Sequence, residues 1–288
     1  MSYNTKIEWC TSSWNPIRPL INGILKGYFC TKISDGCANC YSEKMNKRFG
    51  NGLLYDETPV EFGIDHDVLS QPDHWKWPRR IFVQSMNDLF HRRIPDDLIE
   101  AVLSVIEKNS RHTFIVLTKR PDNMHCVLKN RNLPGNMWVG VTAENQKTAN
   151  VRIPWLLKIN PAVRFLSVEP CLGEVCSNFL SAPSWEIAQL DWVICGGESG
   201  PGARPMNPAW PRILQLECKG YGVPFFFKQW GEWIPSNQLE SLYGKFPGSY
   251  FHAKKHLWDK EIFSVRLGKK FTGRLLDGKL YDEYPKTK

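Results

Sequence analysis

Three cysteines lie in one short loop, at positions 30, 37 and 40, with C-x6-C-x2-C spacing. An iron–sulfur cluster is ordinarily held by four cysteine thiolates, so a loop with three leaves one iron open to a small molecule. An open iron permits chemistry that simple electron transfer does not need. The sequence therefore predicts a [4Fe-4S] cluster whose ligands are Cys30, Cys37 and Cys40.

Two other states of this loop stay open. Structural zinc uses four nitrogen or sulfur ligands, usually in two closely spaced pairs, and the sequence has no second C-x2-C pair. A distant histidine, His66, His74 or His91, could supply a fourth ligand, and plain buried thiols are the remaining alternative. Disulfides are least favoured because nine cysteines is an odd number and the chain opens with polar residues instead of an apolar signal segment. We therefore expect a reducing, cytoplasmic location.

Length and charge narrow the class of protein. The chain has 288 residues, of which 42% are hydrophobic, and one (β/α) barrel of about 250 residues would account for most of it. No apolar run approaches the ~20 residues that a membrane-spanning helix needs. The net charge of +8 favours a polyanionic partner, with DNA or RNA as the first candidate.

Short apolar runs recur along the chain, each followed by polar residues and then by a loop or an amphipathic helix. Their spacing of roughly 25 to 35 residues is typical of βα units in a parallel sheet. Helices are predicted at 95–106, after Pro208 and directly after Tyr41. A first strand is predicted at Ile7–Cys10, ahead of the cysteine loop. The other predicted strands are 81–83, 114–117, 138–141, 163–166, 192–195 and 224–227.

The polar residues that end these runs favour a barrel. In a (β/α) barrel the carboxyl ends of all strands converge on the active site, whereas a doubly wound sheet brings only a few strand ends to a crevice. The predicted fold is therefore α/β, a partial TIM-type (β/α) barrel of about six to seven parallel strands. Residues 1–233 are predicted to form the barrel, with the cluster loop at 30–40. Residues 234–288 are predicted to form a C-terminal extension that packs on it.

A glycine-rich segment, residues 196–205, is the second candidate binding element. Its glycines follow an apolar strand and would let backbone N–H groups approach a ligand closely. Glu198 suits an ammonium group or a ribose hydroxyl pair, and Arg204 suits a carboxylate. The segment matches neither a Walker loop nor a Rossmann fingerprint, and a structural turn is an equal alternative.

Ordered motifs are spread over nearly the whole chain: Ile7-Glu8-Trp9, Trp14-Asn15-Pro16, the cysteine loop, Trp138 to Val141, Ser167 to Pro170, Gly196 to Pro205, Gly268 to Lys270 and Gly273 to Gly278. Together they resemble the phage-type three-Cys-motif proteins, a radical-SAM-like family. The resemblance implies a partial TIM barrel with a [4Fe-4S] cluster after the first strand, and a distant similarity to spore photoproduct lyase.

Three features depart from what the resemblance implies. Radical SAM enzymes usually have C-x3-C-x2-C spacing, and their Gly-Gly-Glu motif follows the second strand, where this chain has Ser85 to Asp88. The segment Arg18 to Phe29 also lengthens the chain between Trp14-Asn15-Pro16 and Cys30 beyond what the family leads us to expect.

The resemblance also implies roles for the polar strand ends. The implied cofactors are the [4Fe-4S] cluster and S-adenosyl-L-methionine, whose reductive cleavage yields a 5′-deoxyadenosyl radical. Ser85 and Asp88 are predicted to bind the methionine ammonium and Lys119 its carboxylate. Cys195 and Cys171 are the predicted hydrogen-atom donors, with buried packing residues as the alternative. Ribose or substrate contacts are predicted for Glu144, Asn145, Glu169, Gly196, Gly197, Glu198 and Arg204.

The predicted function is modification or repair of a nucleobase in DNA or RNA by radical chemistry, on a single-stranded or flipped base. An electron donor such as flavodoxin or ferredoxin is the second expected partner, and no membrane partner is expected. Two alternatives stay open: a radical enzyme acting on a protein or small metabolite, and a non-enzymatic nucleic-acid-binding protein with a structural metal.

Overall fold

The computed structural model describes residues 5–56, 60–176, 187–243 and 252–286. Its first part contains a short strand, an antiparallel insertion and three helices. These elements are β1 (Ser12–Trp14), β2 (Ile17–Ile21), β3 (Ile24–Leu25), α1 (Tyr41–Phe49), β4 (Glu61–Ile64), α2 (His66–Leu69) and α3 (Gln71–His74).

Strands and helices then alternate. The elements are β5 (Arg80–Val83), α4 (Asp96–Lys108), β6 (Thr113–Thr118), α5 (Pro121–Leu128), β7 (Met137–Thr142), α6 (Gln146–Leu156), β8 (Val163–Val168), β9 (Trp192–Gly196), α7 (Ala209–Tyr221) and β10 (Phe225–Gln229). On α4 the buried residues Ile99, Val102, Leu103 and Ile106 recur at helical spacing, so one face of this helix packs on the core.

Seven parallel strands form the central sheet in the order β1-β5-β6-β7-β8-β9-β10. The order follows the chain from one edge to the other, as in a (β/α) barrel, whereas a doubly wound sheet reverses direction at a switch point. The predicted fold class, an α/β partial barrel of six to seven parallel strands, is therefore confirmed.

The first strand lies later than predicted. Residues 7–10 form a turn, in which the Cys10 N–H donates to the Ile7 carbonyl at 3.3 Å, and pairing with β5 begins at Ser12. Trp9 is buried against Phe82, with ring centroids 4.7 Å apart, so the apolar character of this stretch reflects core packing in a turn. The predicted strand at Ile7–Cys10 is wrong.

The strands β2 and β3 lie between β1 and the cysteine loop, and they belong to an antiparallel sheet that β4 completes after α1. Its order is β3-β2-β4, and β2 and β3 form a hairpin from Leu20↔Leu25 pairing. The segment that lengthens the chain before Cys30 is therefore mostly this hairpin.

The last part of the chain adds short strands and two helices. Along β10, the Phe227 N–H donates to the Tyr281 carbonyl at 2.9 Å, and Phe226 forms a bridge with Asp282. The predicted boundary at residue 233 stays a prediction, and residues 244–251 and 287–288 lie outside the described part. The elements are β11 (Trp233–Pro235), α8 (Ser236–Tyr243), β12 (Lys255–Leu257), β13 (Phe263–Arg266), α9 (Lys269–Thr272), β14 (Leu275–Leu276) and β15 (Lys279–Leu280).

Contacts divide the chain into two compact units. The first comprises Met1–Val141, Arg152–Arg164 and Thr287–Lys288, and the second comprises Thr142–Val151 and Phe165–Lys286. Large buried aromatic residues, such as Trp14 and Phe114 in the first unit and Trp192 and Phe226 in the second, mark their cores. Among the described residues, every helix is too short or too polar to cross a membrane.

Candidate functional site

The cysteine loop of the first unit is wound by backbone hydrogen bonds into successive turns. A short 3-10 turn covers Asp35–Cys37, where the Cys37 N–H donates to the Ser34 carbonyl at 2.9 Å. The Cys40 N–H donates to the Cys37 carbonyl at 3.3 Å, and Cys40 is the N-cap of α1. The second and third thiols are therefore held one turn apart, at the start of a helix.

The start of α1 is tied to the chain that follows β5. The Ser42 hydroxyl lies 2.7 Å from the Tyr55 hydroxyl, which donates to the Met86 carbonyl at 2.9 Å, and Ser42 contacts the same carbonyl. The Tyr55 N–H donates to a Glu43 carboxylate oxygen at 2.8 Å. These contacts fix the end of the cysteine loop against one of the predicted site segments.

Asn15 positions the predicted site residue Ser85. Its buried side-chain oxygen accepts hydrogen bonds from the Ser85 hydroxyl at 3.2 Å and from the Met86 N–H at 2.9 Å. Gln84, just before them, is buried and has a positive φ of 51°, which a non-glycine residue adopts only when its surroundings impose it. The Trp14-Asn15-Pro16 motif thus bridges the ends of β1 and β5.

A buried ion pair grips the first cysteine. Arg120 donates through Nη1 to Asp88 at 3.0 Å and to the Cys30 sulfur at 3.6 Å. Its Nη2 donates to the carbonyl and hydroxyl oxygens of Thr31, at 2.9 and 2.7 Å. The side chains of Arg120 and Asp88 are only 7% and 8% exposed. One guanidinium therefore joins the end of β6 to the cysteine loop.

Asp88, a predicted ammonium ligand, is fully engaged by protein donors. Besides Arg120, its carboxylate accepts hydrogen bonds from the Thr118 hydroxyl at 2.7 Å and from the N–H groups of Phe90 and Lys119 at 3.0 and 3.1 Å. The structure thus brings Asp88 and the backbone of Lys119 together, and it places Asp88 in the role of holding Arg120.

His91 adds a second contact to Thr31. Its Nε2 lies 3.2 Å from the Thr31 hydroxyl, and its Nδ1 accepts a hydrogen bond from the Arg93 N–H at 3.2 Å. Burial, followed by the nearby Arg120 charge, lowers the pKa of His91 to about 4. The imidazole is therefore neutral at pH 7.

Sequence reasoning gave no role to Arg120 or Thr31, and it named His91 only as one possible distant zinc ligand. One signal was available for Arg120: residues two apart at a strand end point to the same side, so Arg120 shares the side of Thr118, whereas Lys119 does not. Thr31 carried no comparable signal, because its contacts join positions about 90 residues apart.

The thiols differ in their electrostatic environment. Burial raises the pKa of Cys30 to about 12, although the Arg120 charge opposes this shift. Burial also raises the pKa of Cys40, while backbone N–H groups at the start of α1 and the Lys119 charge act in the opposite direction. Cys37 also raises the pKa of Cys30 and of Cys40, as a smaller effect than burial.

Cysteine sulfur is the ligand atom that iron–sulfur clusters use, so these three residues are of the right chemical type. The three thiols are free and lie on one loop, and Cys30 and Cys40 have cationic neighbours, Arg120 and Lys119, that would offset thiolate charge. Within the described ranges, no group of three or more His, Cys, Asp or Glu side chains is arranged to hold a metal ion. His252 and His256, which form an H-x3-H pair in the sequence, belong to no such group either. The thiols thus supply the right ligand atoms, and the cluster and zinc interpretations both remain predictions.

In the second unit, the predicted binding residues Glu198 and Arg204 bind each other. Arg204 donates from Nε at 2.9 Å and Nη2 at 2.7 Å to the two oxygens of the Glu198 carboxylate, and its backbone N–H donates at 2.8 Å. The carboxylate expected to meet Arg204 is thus the protein's own. The glycine-rich segment is further fixed by a hydrogen bond from the Gly200 N–H to Glu232 at 2.9 Å.

Gly196 and Gly197 have packing reasons to be glycine. A Cβ on Gly197 would lie 2.1 Å from the Trp230 carbonyl oxygen, and one on Gly196 would lie 2.8 Å from a Glu169 carboxylate oxygen. The Gly197 N–H donates to the Gln229 carbonyl at 2.9 Å. The close approach observed here is to neighbouring chain, and ligand binding by these glycines stays a prediction.

The other predicted contact residues of this unit already have protein partners. Glu169 forms an ion pair with Lys228 at 2.9 Å and accepts a hydrogen bond from the Ser167 hydroxyl at 3.2 Å. Asn145 accepts a hydrogen bond from the Thr148 N–H at 3.0 Å, as an N-cap of α6 does. Glu144 is fully buried, and its carbonyl accepts from the Leu172 N–H at 2.8 Å.

Cys195 and Cys171, the predicted hydrogen-atom donors, are both buried and lie together. A hydrogen bond with Cys171, followed by burial, raises the pKa of Cys195 well above its usual value. Both are free thiols. This environment suits a packed S–H group, and the donor role stays a prediction.

Comparisons with known proteins place these features in context. A family model described as "Protein of unknown function (DUF5131)" matches residues 4–285, and no curated protein matches the chain. Among solved structures, a spore photoproduct lyase mutant is 11% identical, with a TM-score of 0.41 over 88% of this chain and 67% of that chain.

Two more spore photoproduct lyase mutants are similar. One, with bound AdoMet and dinucleoside spore photoproduct, is 11% identical over 88% of this chain and 67% of that chain, with a TM-score of 0.42. The other, with dinucleoside spore photoproduct, is 12% identical over 79% of this chain and 63% of that chain, with a TM-score of 0.37. This is a distant resemblance in fold and says nothing of ligand or activity. The resemblance to the phage-type family stays a prediction.

Proposed function

The chain belongs to the DUF5131 family, and we propose that it is a radical S-adenosylmethionine-type iron–sulfur enzyme acting on a nucleobase of DNA or RNA. One observation carries the proposal: three free thiols on one loop, the first of which accepts a hydrogen bond from a buried guanidinium. Three thiolates leave one iron of a [4Fe-4S] cluster without a protein ligand, which is the requirement for binding a small molecule there.

In this proposal Cys30, Cys37 and Cys40 hold the cluster. When bound, the cluster supplies one electron that cleaves S-adenosylmethionine to give a carbon radical. Because Asp88 already accepts four hydrogen bonds, it acts chiefly by holding Arg120. Ser85 and Lys119 are then the candidates to meet the methionine ammonium and carboxylate. The Lys119 charge acts to lower the pKa of the Cys40 thiol, which supports a role for Lys119 beside the cluster loop.

The second unit supplies the candidate contacts to ribose or substrate. Two carboxylates there are each paired with a cation, Glu198 with Arg204 and Glu169 with Lys228. Such pairs hold carboxylate oxygens in fixed directions, which suits recognition of hydroxyl groups. Cys195 and Cys171 keep their proposed role as S–H donors of a hydrogen atom.

The charge of the whole chain supports a nucleic acid substrate. A net charge of +8 attracts phosphate groups without regard to sequence. An enzyme that acts on a base must work on single-stranded nucleic acid or extrude the base, at a cost of a few kcal/mol.

The surface of α1 supports an electron-donor protein as partner. Tyr41, Met45 and Phe49 recur every four residues and are 48%, 48% and 74% exposed, so they share one side of the helix. Arg48 lies over the Phe49 ring, 4.8 Å from its centroid, and Lys47 is exposed on another side of the same helix. This helix begins at the residue after Cys40, and an apolar stripe on a helix with exposed cations suits an acidic protein such as a flavodoxin or ferredoxin.

Anaerobic reconstitution tests the proposal. Wild-type protein incubated with iron and sulfide should turn brown, hold about four irons per chain and form 5′-deoxyadenosine from S-adenosylmethionine under dithionite. Cys37→Ala should lose most of the iron and all of the product, whereas Cys126→Ala, which removes an exposed thiol of α5, should keep both. Stoichiometric zinc without cleavage of S-adenosylmethionine would contradict the proposal.

A further inference from the structure

We infer that the buried Asp88–Arg120 pair is a positioning device that fixes Cys30 as the anchored thiol of the cysteine loop. We further infer that the Arg120 guanidinium raises the reduction potential of the cluster that the loop would hold. The second part rests on the proposed function, whereas the first part concerns the protein with or without a cluster.

Arg120 makes its contacts through both terminal nitrogens of its guanidinium. Its two terminal nitrogens contact the Cys30 sulfur, both oxygens of Thr31 and one carboxylate oxygen of Asp88. A lysine ammonium is a single point with no planar fork, so it cannot reproduce this set of contacts. The side chain is nearly inaccessible to water, which makes each contact costly to lose.

Asp88 in turn is fixed by donors that belong to the end of β6 and to its own loop. The Thr118 hydroxyl and the Lys119 N–H each bond one of its oxygens, at 2.7 and 3.1 Å. Arg120 is therefore aimed from the central sheet toward the cysteine loop. His91 supports the same loop residue from another side, through the Thr31 hydroxyl.

This arrangement distinguishes Cys30 from the other two thiols. In the described structure, Cys30 alone among the three receives a guanidinium hydrogen bond, whereas Cys37 lies 3.9 Å from the Ser34 hydroxyl. Hydrogen bonds and positive charge at a ligand sulfur stabilise the more negative, reduced form of a cluster. Arg120 is thus placed to set the ease of reduction as well as the position of the ligand.

The first experiment measures alkylation of the metal-free, reduced protein by iodoacetamide, with peptide mass spectrometry to follow each thiol. In Arg120→Lys, the loop around Cys30 should open more often, and Cys30 should react about fivefold faster or more than in the wild type. Cys126 serves as the internal reference. Arg131→Lys is the matched control because it alters an exposed Arg–Glu pair elsewhere in the same unit.

The second experiment measures the reconstituted protein by redox titration followed by electron paramagnetic resonance. Arg120→Lys should show a more negative reduction potential than the wild type and Arg131→Lys, together with a lower iron content. An equal potential in all three proteins would overturn the tuning part of the inference.

The two experiments separate the possible failures. If the wild type binds no cluster, the proposed function and the tuning part fail together, while the alkylation rates still decide the positioning part. If Cys30 reacts equally fast in wild type and Arg120→Lys, positioning is overturned even where the cluster forms. Should Arg120→Lys fail to fold by circular dichroism, Thr31→Val removes a single acceptor of Arg120 and should raise Cys30 reactivity by about twofold.

Discussion

Because Gly197 has no side chain, the glycine-rich segment can pass close to the backbone of Trp230. Gly197→Ala places a Cβ 2.1 Å from the Trp230 carbonyl oxygen, which belongs to backbone and cannot turn away. Overpacking of this kind should lower the free energy of unfolding by about 2 kcal/mol. Denaturant unfolding of both proteins at one pH measures the difference.

Gly220→Ala is the matched control. Gly220 lies within α7, and a Cβ there would meet nothing within 4 Å. Because alanine favours helix more than glycine does, this variant should gain about 0.5 kcal/mol or more. A Gly197→Ala protein as stable as the wild type would show that the segment can shift, which would leave ligand contact as the better reason for this glycine.

His91 makes stability depend on pH below neutrality. Its pKa is near 6.5 in the unfolded chain and about 4 in the folded protein, so the unfolded state gains a proton first as pH falls. The stabilisation is therefore present above pH 6.5 and is lost toward pH 4. Between pH 7 and pH 5 the wild type should lose about 2 kcal/mol more than His91→Gln.

Denaturant titrations of both proteins at the two pH values test this difference. Carboxylates that titrate in the same interval are present in both proteins, so they cancel in the comparison. Parallel pH dependence of the two proteins would show that His91 is protonated in the folded state at pH 5.

Residue types suggest a chemistry but do not show partners. Spacing alone led to Cys30, Cys37 and Cys40 as predicted metal ligands, and the rule about strand ends led to Asp88; these roles stay predictions. Sequence could not show that Arg120 reaches Cys30, because that contact joins segments 90 residues apart. It could not show that Glu198 pairs with Arg204 either, because that contact depends on how the short loop between them folds back. The structure therefore adds the partners, which decide whether a charged group is available to a ligand.

Elements with a strong apolar pattern were predicted well. The six runs from 81 onward all became strands of the central sheet, because buried parallel strands are nearly continuous apolar runs. The first strand was missed because β1 has only three residues, whereas Trp9 is buried in a turn. The hairpin of β2 and β3 was not predicted, although the sequence signals it: Asn22-Gly23 stands between the apolar pairs Leu20-Ile21 and Ile24-Leu25.

The α1 surface predicts an effect on electron delivery. Lys47→Glu combined with Arg48→Glu should slow reduction of the protein by an acidic flavodoxin about tenfold or more at low salt, because like charges then oppose docking. Reduction by dithionite, which needs no docking, should be unchanged. Stopped-flow absorbance follows both reactions.

The matched control reverses two charges on another short helix. Lys269→Glu combined with Lys270→Glu on α9 changes net charge by the same amount. If both double variants slow the flavodoxin reaction equally, the effect comes from overall charge, and α1 is not the docking surface.

The whole molecule carries a net charge of +8, and this charge gives the test that separates substrate classes. Binding to phosphates releases counterions, so affinity for a single-stranded oligonucleotide should fall at least about tenfold between roughly 50 and 200 mM salt. Fluorescence anisotropy with a labelled oligonucleotide measures this dependence. Replacing Lys269 and Lys270 with glutamine should weaken binding and flatten the salt dependence if α9 contacts phosphates. Affinity that is weak and insensitive to salt would instead favour a protein or a small metabolite as substrate, since neither requires neutralising a phosphate backbone.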